Sequence, residues 1–326
     1  MLIDLPLAEL REYRPDVLEP DDFDEFWAGE LAEARERDAE PRFTEVATPI
    51  RHARIFDVMF AGAGGDSIKG WLLVPRETEP DAALVVEYVG YNGGRGDPLD
   101  WLTYSCAGHP HFVMDTRGQG GGWRSADTFD PRDNGAPSTN GFLTRGIAEP
   151  RTHYYARTFV DAARAVDAAR RHPVAAGRAT VCAGVSQGGG LALAASHLVG
   201  DVDAVLPDVP FPAHPRRAVE LTDSRPYREV IEYCSVHSDR VDAVFRTLSY
   251  MDVVNHAKRV TAPALFSVGL IDEVTPASTV FAAYNHYAGP KDIAVYQFNG
   301  HEGGSTRHLA MKLAFLDARR AGTAPA

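Results

Sequence analysis

The run TVCAGVSQGGGLALAAS, residues 180–196, decides the fold. A strand pattern over 178–184 runs directly into Gly184-Val185-Ser186-Gln187-Gly188, and an alanine-rich helix pattern over 187–200 runs directly out. A G-x-S-x-G sequence between a strand and a helix is the context of a nucleophile elbow. The turn is so sharp that a Cβ two positions either side of the serine would strike the neighbouring strand or helix. The alternative is a glycine-rich turn with a bystander serine; the context favours Ser186 as a nucleophile.

Outward from this elbow the chain alternates. Short apolar runs at 83–90, 111–118, 202–210, 262–270 and 292–300 read as strands. Segments 157–172 and 306–321 have apolar residues at helical spacing. Strands alternating with helices imply a mainly parallel sheet with helices on both faces. Upstream, HARIFDVMFAG and SIKGWLLVPRE flank the turn-forming AGAGGD and read as a hairpin. Residues 1–40 read as an arm, with a helix over 19–40 that Asp21 or Asp22 could cap. Residues 211–260 carry polar helical patterns between two strands and read as an insertion. One decorated domain over 1–326 is expected.

A serine nucleophile needs a base, and the base an orienting carboxylate. In an elbow-based hydrolase the chain order is Ser, then Asp or Glu, then His, the last two in loops after strands. Asp272 follows the strand ALFSVGL, and His301 follows the last strand in a glycine-flanked loop. His308 falls inside the closing helix pattern, Asp292 precedes its strand, and Asp208 ends a strand one step too early, which makes it the fallback acid. The oxyanion formed during attack needs two donors. The N–H groups of Gln187, after the nucleophile, and Tyr91, in the loop YNGGRGD after an early strand, are the candidates.

Composition narrows the partners. Acidic residues outnumber basic ones 45 to 33, for a net charge of -12. That disfavours nucleic acid and anionic membrane surfaces. The three cysteines are scattered, so neither a disulfide framework nor zinc spacing is legible. No signal peptide or membrane span is evident, and a cytoplasmic location is the default. TRGQGGGW does not complete a dinucleotide loop, and neither HPH nor HE makes a zinc motif, so no cofactor and no metal are expected.

With GYNGGRG (90–96), DTRGQGGGW (115–123), GVSQGGG (184–190), PALFSVGLID (263–272) and HEGG (301–304) together, the chain resembles carbohydrate esterase family 7, the acetyl xylan esterase and cephalosporin C deacetylase group. The resemblance extends over nearly the whole length. It implies Ser186, Asp272 and His301 as the triad, and Tyr91 and Gln187 as oxyanion donors. It implies removal of O-acetyl groups from small substrates such as acetylated xylo-oligosaccharides and cephalosporin C, and a homohexamer. Arg117 and Gln119 are motif positions expected to organise loops. Two departures stand out: Val89 where many relatives carry His, and Thr275 where relatives often carry Cys.

The expectation is therefore an α/β-hydrolase fold: a mainly parallel twisted sheet with helices on both faces, an N-terminal helical and hairpin extension, and a helical insertion. Its expected activity is that of a serine esterase working through an acetyl-enzyme intermediate. Another acyl ester, a peptide bond or a non-catalytic binding role are the alternatives.

Overall fold

Leu84, Val86 and Tyr88 face one apolar cluster while Ala83 and Val85 face another, and Cys182 alternates in the same way with Val181 and Ala183. This period-two exchange is what strands buried on both faces require. The computed structural model describes residues 4–79, 81–133 and 138–320. Among these residues nine strands form one sheet: β1 (Arg42–Val46), β2 (Ala53–Ala61), β3 (Ser67–Pro75), β4 (Leu84–Tyr88), β5 (His111–Met114), β6 (Thr180–Val185), β7 (Ala204–Asp208), β8 (Ala264–Gly269) and β9 (Lys291–Tyr296). Their order is β1-β2-β3-β5-β4-β6-β7-β8-β9. Pairs from β5–β4 onward are parallel; β1–β2, β2–β3 and β3–β5 are antiparallel. The expected hairpin is thus β2–β3, hydrogen-bonded directly onto the main sheet.

Helices α1 (Leu7–Glu12) and α2 (Phe23–Glu36) make the N-terminal arm, followed by α3 (Leu102–Cys106), α4 (Tyr154–Arg170) and α5 (Gln187–Val199). Residues 211–260 hold α6 (Pro215–Leu221), α7 (Tyr227–Val236), α8 (Val241–Met251) and α9 (Val253–Ala257). The last two are α10 (Ala277–His286) and α11 (Ser305–Arg320). Residue 321, the end of the expected closing helix, lies outside the described residues. Side chains of α2, α4, α5 and α10 fill one face of the sheet; α3 and α11 cover the other through Tyr104 and Leu316. Among the described residues no helix is long and apolar enough to cross a membrane.

The arm is docked. Trp27 stacks on Phe159 of α4 at 5.6 Å and meets His256 of α9 at 5.0 Å. Asp22 stands at the start of α2, but its carboxylate accepts the Tyr250 hydroxyl and makes no bond to the helix backbone. The cap expected there is spent on a tertiary contact.

Candidate active site

Ser186 sits where β6 ends and α5 begins, with φ +58° and ψ −120°. A non-glycine residue is strained in that region, and such strain persists only where neighbours over-determine it. Here Ser186 N–H donates to the Asp208 carbonyl at 2.9 Å, and its own carbonyl accepts from Phe211 and Gly190 N–H at 3.0 Å. The glycines have the expected steric reason. A Cβ on Gly184 would collide with the Gly188 backbone, and one on Gly188 with the Tyr88 carbonyl of β4.

Asp272 and His301 lie just beyond β8 and β9, on the same carboxyl edge of the sheet as Ser186. Asp272 is fully buried. Its Oδ1 accepts N–H bonds from Val274 at 2.8 Å and Thr275 at 3.0 Å. Its Oδ2 lies 2.9 Å from His301 Nδ1 and accepts the Thr275 hydroxyl at 2.8 Å. A carboxylate acceptor at Nδ1 holds the proton there and leaves Nε2 as the free base. Glu302 braces the histidine loop by accepting Gly300 N–H at 3.0 Å and the Asn299 side-chain amide at 2.7 Å.

Ser186 and His301 line one cavity of about 360 Å³, together with Tyr91, Trp123, Pro226 and Val274. The serine and histidine side chains are not hydrogen-bonded to each other; in unliganded sites this link is often long and tightens in the complex. Gln187 opens α5, so its N–H has no intrahelical acceptor. Tyr91 N–H is likewise without a hydrogen-bond partner among the described residues; Tyr91 lines the cavity with Ser186, and Gln187 directly follows the serine.

The loop carrying Tyr91 is held by a reciprocal amide pair. Gln119 Nε2 donates to Gln187 Oε1 at 2.8 Å, and Gln187 Nε2 donates back to Gln119 Oε1 at 3.1 Å. Gln187 Nε2 also reaches the Val89 carbonyl at 3.1 Å, and Gln119 Oε1 accepts Asn92 N–H at 2.6 Å. Arg117 is wholly buried and clasps Asp161 through two bonds of 2.5 and 2.7 Å, with Asp66 at 2.7 Å. Burial works against its charge, but Asp161 and then Asp66 keep it firmly protonated. Both motif residues therefore organise loops.

The fallback acid, Asp208, is committed elsewhere. Its carboxylate points to the α11 face, accepting Lys312 Nζ at 2.6 Å, with His308 Nε2 2.9 Å away but poorly aligned for a hydrogen bond. Another cavity of about 360 Å³ contains Ser249, His214 and Asp252. There Ser249 donates to the Arg246 carbonyl and Asp252 accepts backbone N–H groups of His214 and Val254, so no nucleophile–base pair is assembled. Among the described residues no group of three His, Cys, Asp or Glu side chains is placed to hold a metal.

Three features of the site were not read from the sequence: Trp123 and Pro226 as cavity walls, the Thr275 bond to Asp272, and Glu229 behind Tyr91. Two of these residues carried a signal: Thr275, as a departure from relatives just after Asp272, and Trp123, as the last residue of the motif DTRGQGGGW.

Residues 1–318 match the family model described as acetyl xylan esterase (AXE1). A solved acetyl xylan esterase from Paenibacillus sp. R4 superposes with TM-score 0.87 at 37% identity, over 96% of this chain and 99% of that one. Acetyl xylan esterase 1 from Thermoanaerobacterium sp. gives TM-score 0.86 at 34% identity, over the same shares of the two chains. The acetyl esterase Axe7A of Xylanibacter ruminicola is 27% identical over 88% of this chain; the chain spans 65% of that protein's length.

Proposed function

Since the chain belongs to the acetyl xylan esterase family, we propose that it is a serine esterase that removes O-acetyl groups from small substrates, acetylated xylo-oligosaccharides and cephalosporin C among them. One observation carries the reading: Ser186, on a strained elbow, shares a cavity with a His301 whose Nδ1 is tied to buried Asp272. In this reading His301 Nε2 takes the Ser186 proton as the oxygen attacks the acetyl carbonyl. Tyr91 and Gln187 N–H groups receive the oxyanion, each worth about 3 kcal/mol of transition-state stabilisation. His301 returns the proton to the departing sugar or cephem oxygen, leaving an acetyl-enzyme. Water, deprotonated by His301, then attacks and acetate leaves. The apolar walls Trp123, Pro226 and Val274 suit a short acyl group.

The test is acetate release from acetylated xylo-oligosaccharides and from cephalosporin C, with Ser186→Ala alongside. Release that is lost in the variant is expected. Full release by Ser186→Ala removes the triad reading. Cleavage of an activated acetyl ester alone, through Ser186, keeps the chemistry and removes the substrate class.

A further inference from the structure

The N–H of Tyr91 can receive an oxyanion only if its peptide is held still, and the loop bearing it is not part of a strand. Its side chain is held from below. The Tyr91 hydroxyl donates to Glu229 Oε1 at 2.5 Å and accepts Phe142 N–H at 3.0 Å. Glu229, on the first turn of α7, is itself buried, and its carboxylate is shared among several donors. Oε1 also accepts Gly141 N–H at 2.9 Å, and Oε2 accepts Leu143 N–H at 3.0 Å. Burial first, and then the Glu229 charge, keeps the Tyr91 phenol protonated and so able to donate. The same helix follows Arg225 and Pro226, which line the cavity.

We infer that Glu229 is a positioning residue for the oxyanion hole: through the Tyr91 hydroxyl it fixes the Tyr91 peptide, and it locks that peptide to the 141–143 loop and to the Arg225–Pro226 wall. A buried carboxylate suits the task because it is acceptor-only and takes three donors at once. An amide of the same shape has a single acceptor oxygen and turns donors against the Leu143 or Tyr91 donor. The inference rests on Tyr91 N–H being an oxyanion donor, as proposed above.

Glu229→Gln and Tyr91→Phe, singly and together, test it. The substrate is p-nitrophenyl acetate. The oxyanion probe is a methylboronic acid, which adds to the serine oxygen as a tetrahedral anion. Removing such a donor costs about 10²–10³ in kcat, and displacing it costs less. Each single variant is expected to lower kcat about 10- to 100-fold, with KM within about threefold, and to weaken boronate binding by the same factor. The double variant should lose no more than the worse single one, since both break one link. A purely structural role would lower the melting temperature and leave kcat and boronate affinity within twofold, and that result overturns the inference. Should Glu229→Gln fail to fold, Tyr91→Phe decides alone, because it removes only the hydroxyl. Activity persisting in Ser186→Ala overturns the underlying site reading and this inference with it; Ser186-dependent activity with unchanged kcat in both single variants overturns the inference alone.

Discussion

Replacing Lys312 by Met probes the ion pair beneath the elbow. Lys312 Nζ and Asp208 Oδ2 are 2.6 Å apart, and both side chains are less than one-tenth exposed. Burial alone would raise the Asp208 carboxyl; the Lys312 charge, with His308, overrides it and holds the group below its ordinary range. Burial works against the Lys312 charge too, and Asp208 chiefly carries it above its ordinary value. Methionine keeps the stem of the side chain and deletes the charge, leaving the buried carboxylate with only the poorly aligned His308 beside it. Breaking a buried pair this way costs about 3–5 kcal/mol. For a chain of 326 residues the unfolding entropy is about 0.7 kcal/mol per degree, so the melting temperature should fall by roughly 4–7 °C. Asp208→Asn added to Lys312→Met leaves no stranded charge and should recover at least about 2 kcal/mol. Urea unfolding of wild type, both single variants and the double variant measures all four corners. A Lys312→Met protein within 1 kcal/mol of wild type, or a double variant no better than the worse single, would refute the argument. Because the Asp208 carbonyl holds the Ser186 N–H, esterase activity should drop along with stability.

Three further outcomes are expected. Gly188→Ala drives a methyl into the Tyr88 carbonyl; kcat/KM should fall at least about 10-fold, with stability down by about 1–3 kcal/mol, and an active, equally stable variant counts against the elbow packing. Asp252 is raised to about 7 by burial, against the backbone N–H bonds that favour its charge. The folded chain therefore keeps a proton that the unfolded chain has lost. The group's contribution is full below its ordinary value of 3.8 and is lost as pH rises through about 7, at about 1.4 kcal/mol per pH unit. Asp252→Asn keeps an acceptor for His214 and Val254 N–H, so it should be more stable than wild type at pH 8 and no better at pH 4 in urea titrations; equal midpoints at pH 8 would exclude this. Finally, Thr275→Val deletes the hydroxyl bond to Asp272 Oδ2. Hydrogen bonds to charged groups are worth about 1.5–3 kcal/mol, so kcat/KM should fall about 10-fold or more, and wild-type kinetics would show the bond to be idle.

What was readable in the sequence follows a physical divide. Strands β4 to β8, with α4 and α5, repeat an alternation of periods that burial on both faces enforces, and each expected segment overlaps the observed element; the short α3 between β4 and β5 was not expected. The elbow was readable because its glycines are required by close backbone approach, a constraint local in sequence. Strand β1 was not, since it is a mostly exposed edge strand with no apolar alternation. Glu229 looked like any charge on the helix YREVIEYCSV. Its partners lie 86 to 138 residues away, and no spacing rule connects them. Lys312 was hidden for the same reason: a lysine in a closing amphipathic helix reads as solvated until the fold puts Asp208 beneath it.

The stretch 211–260 departs from the sheet at Phe211, whose N–H holds the Ser186 carbonyl, and rejoins it at β8, the strand that delivers Asp272. Its two moorings are thus neighbours of the proposed reacting apparatus, while Arg225 and Pro226 on its span line the cavity that holds Ser186 and His301. Apart from Glu229, proposed above to steady the Tyr91 peptide, such a layout separates selectivity from reactivity. With Glu229 kept, length and composition of the rest of the span can drift between the moorings, reshaping what is admitted, without moving the three side chains proposed to cleave it.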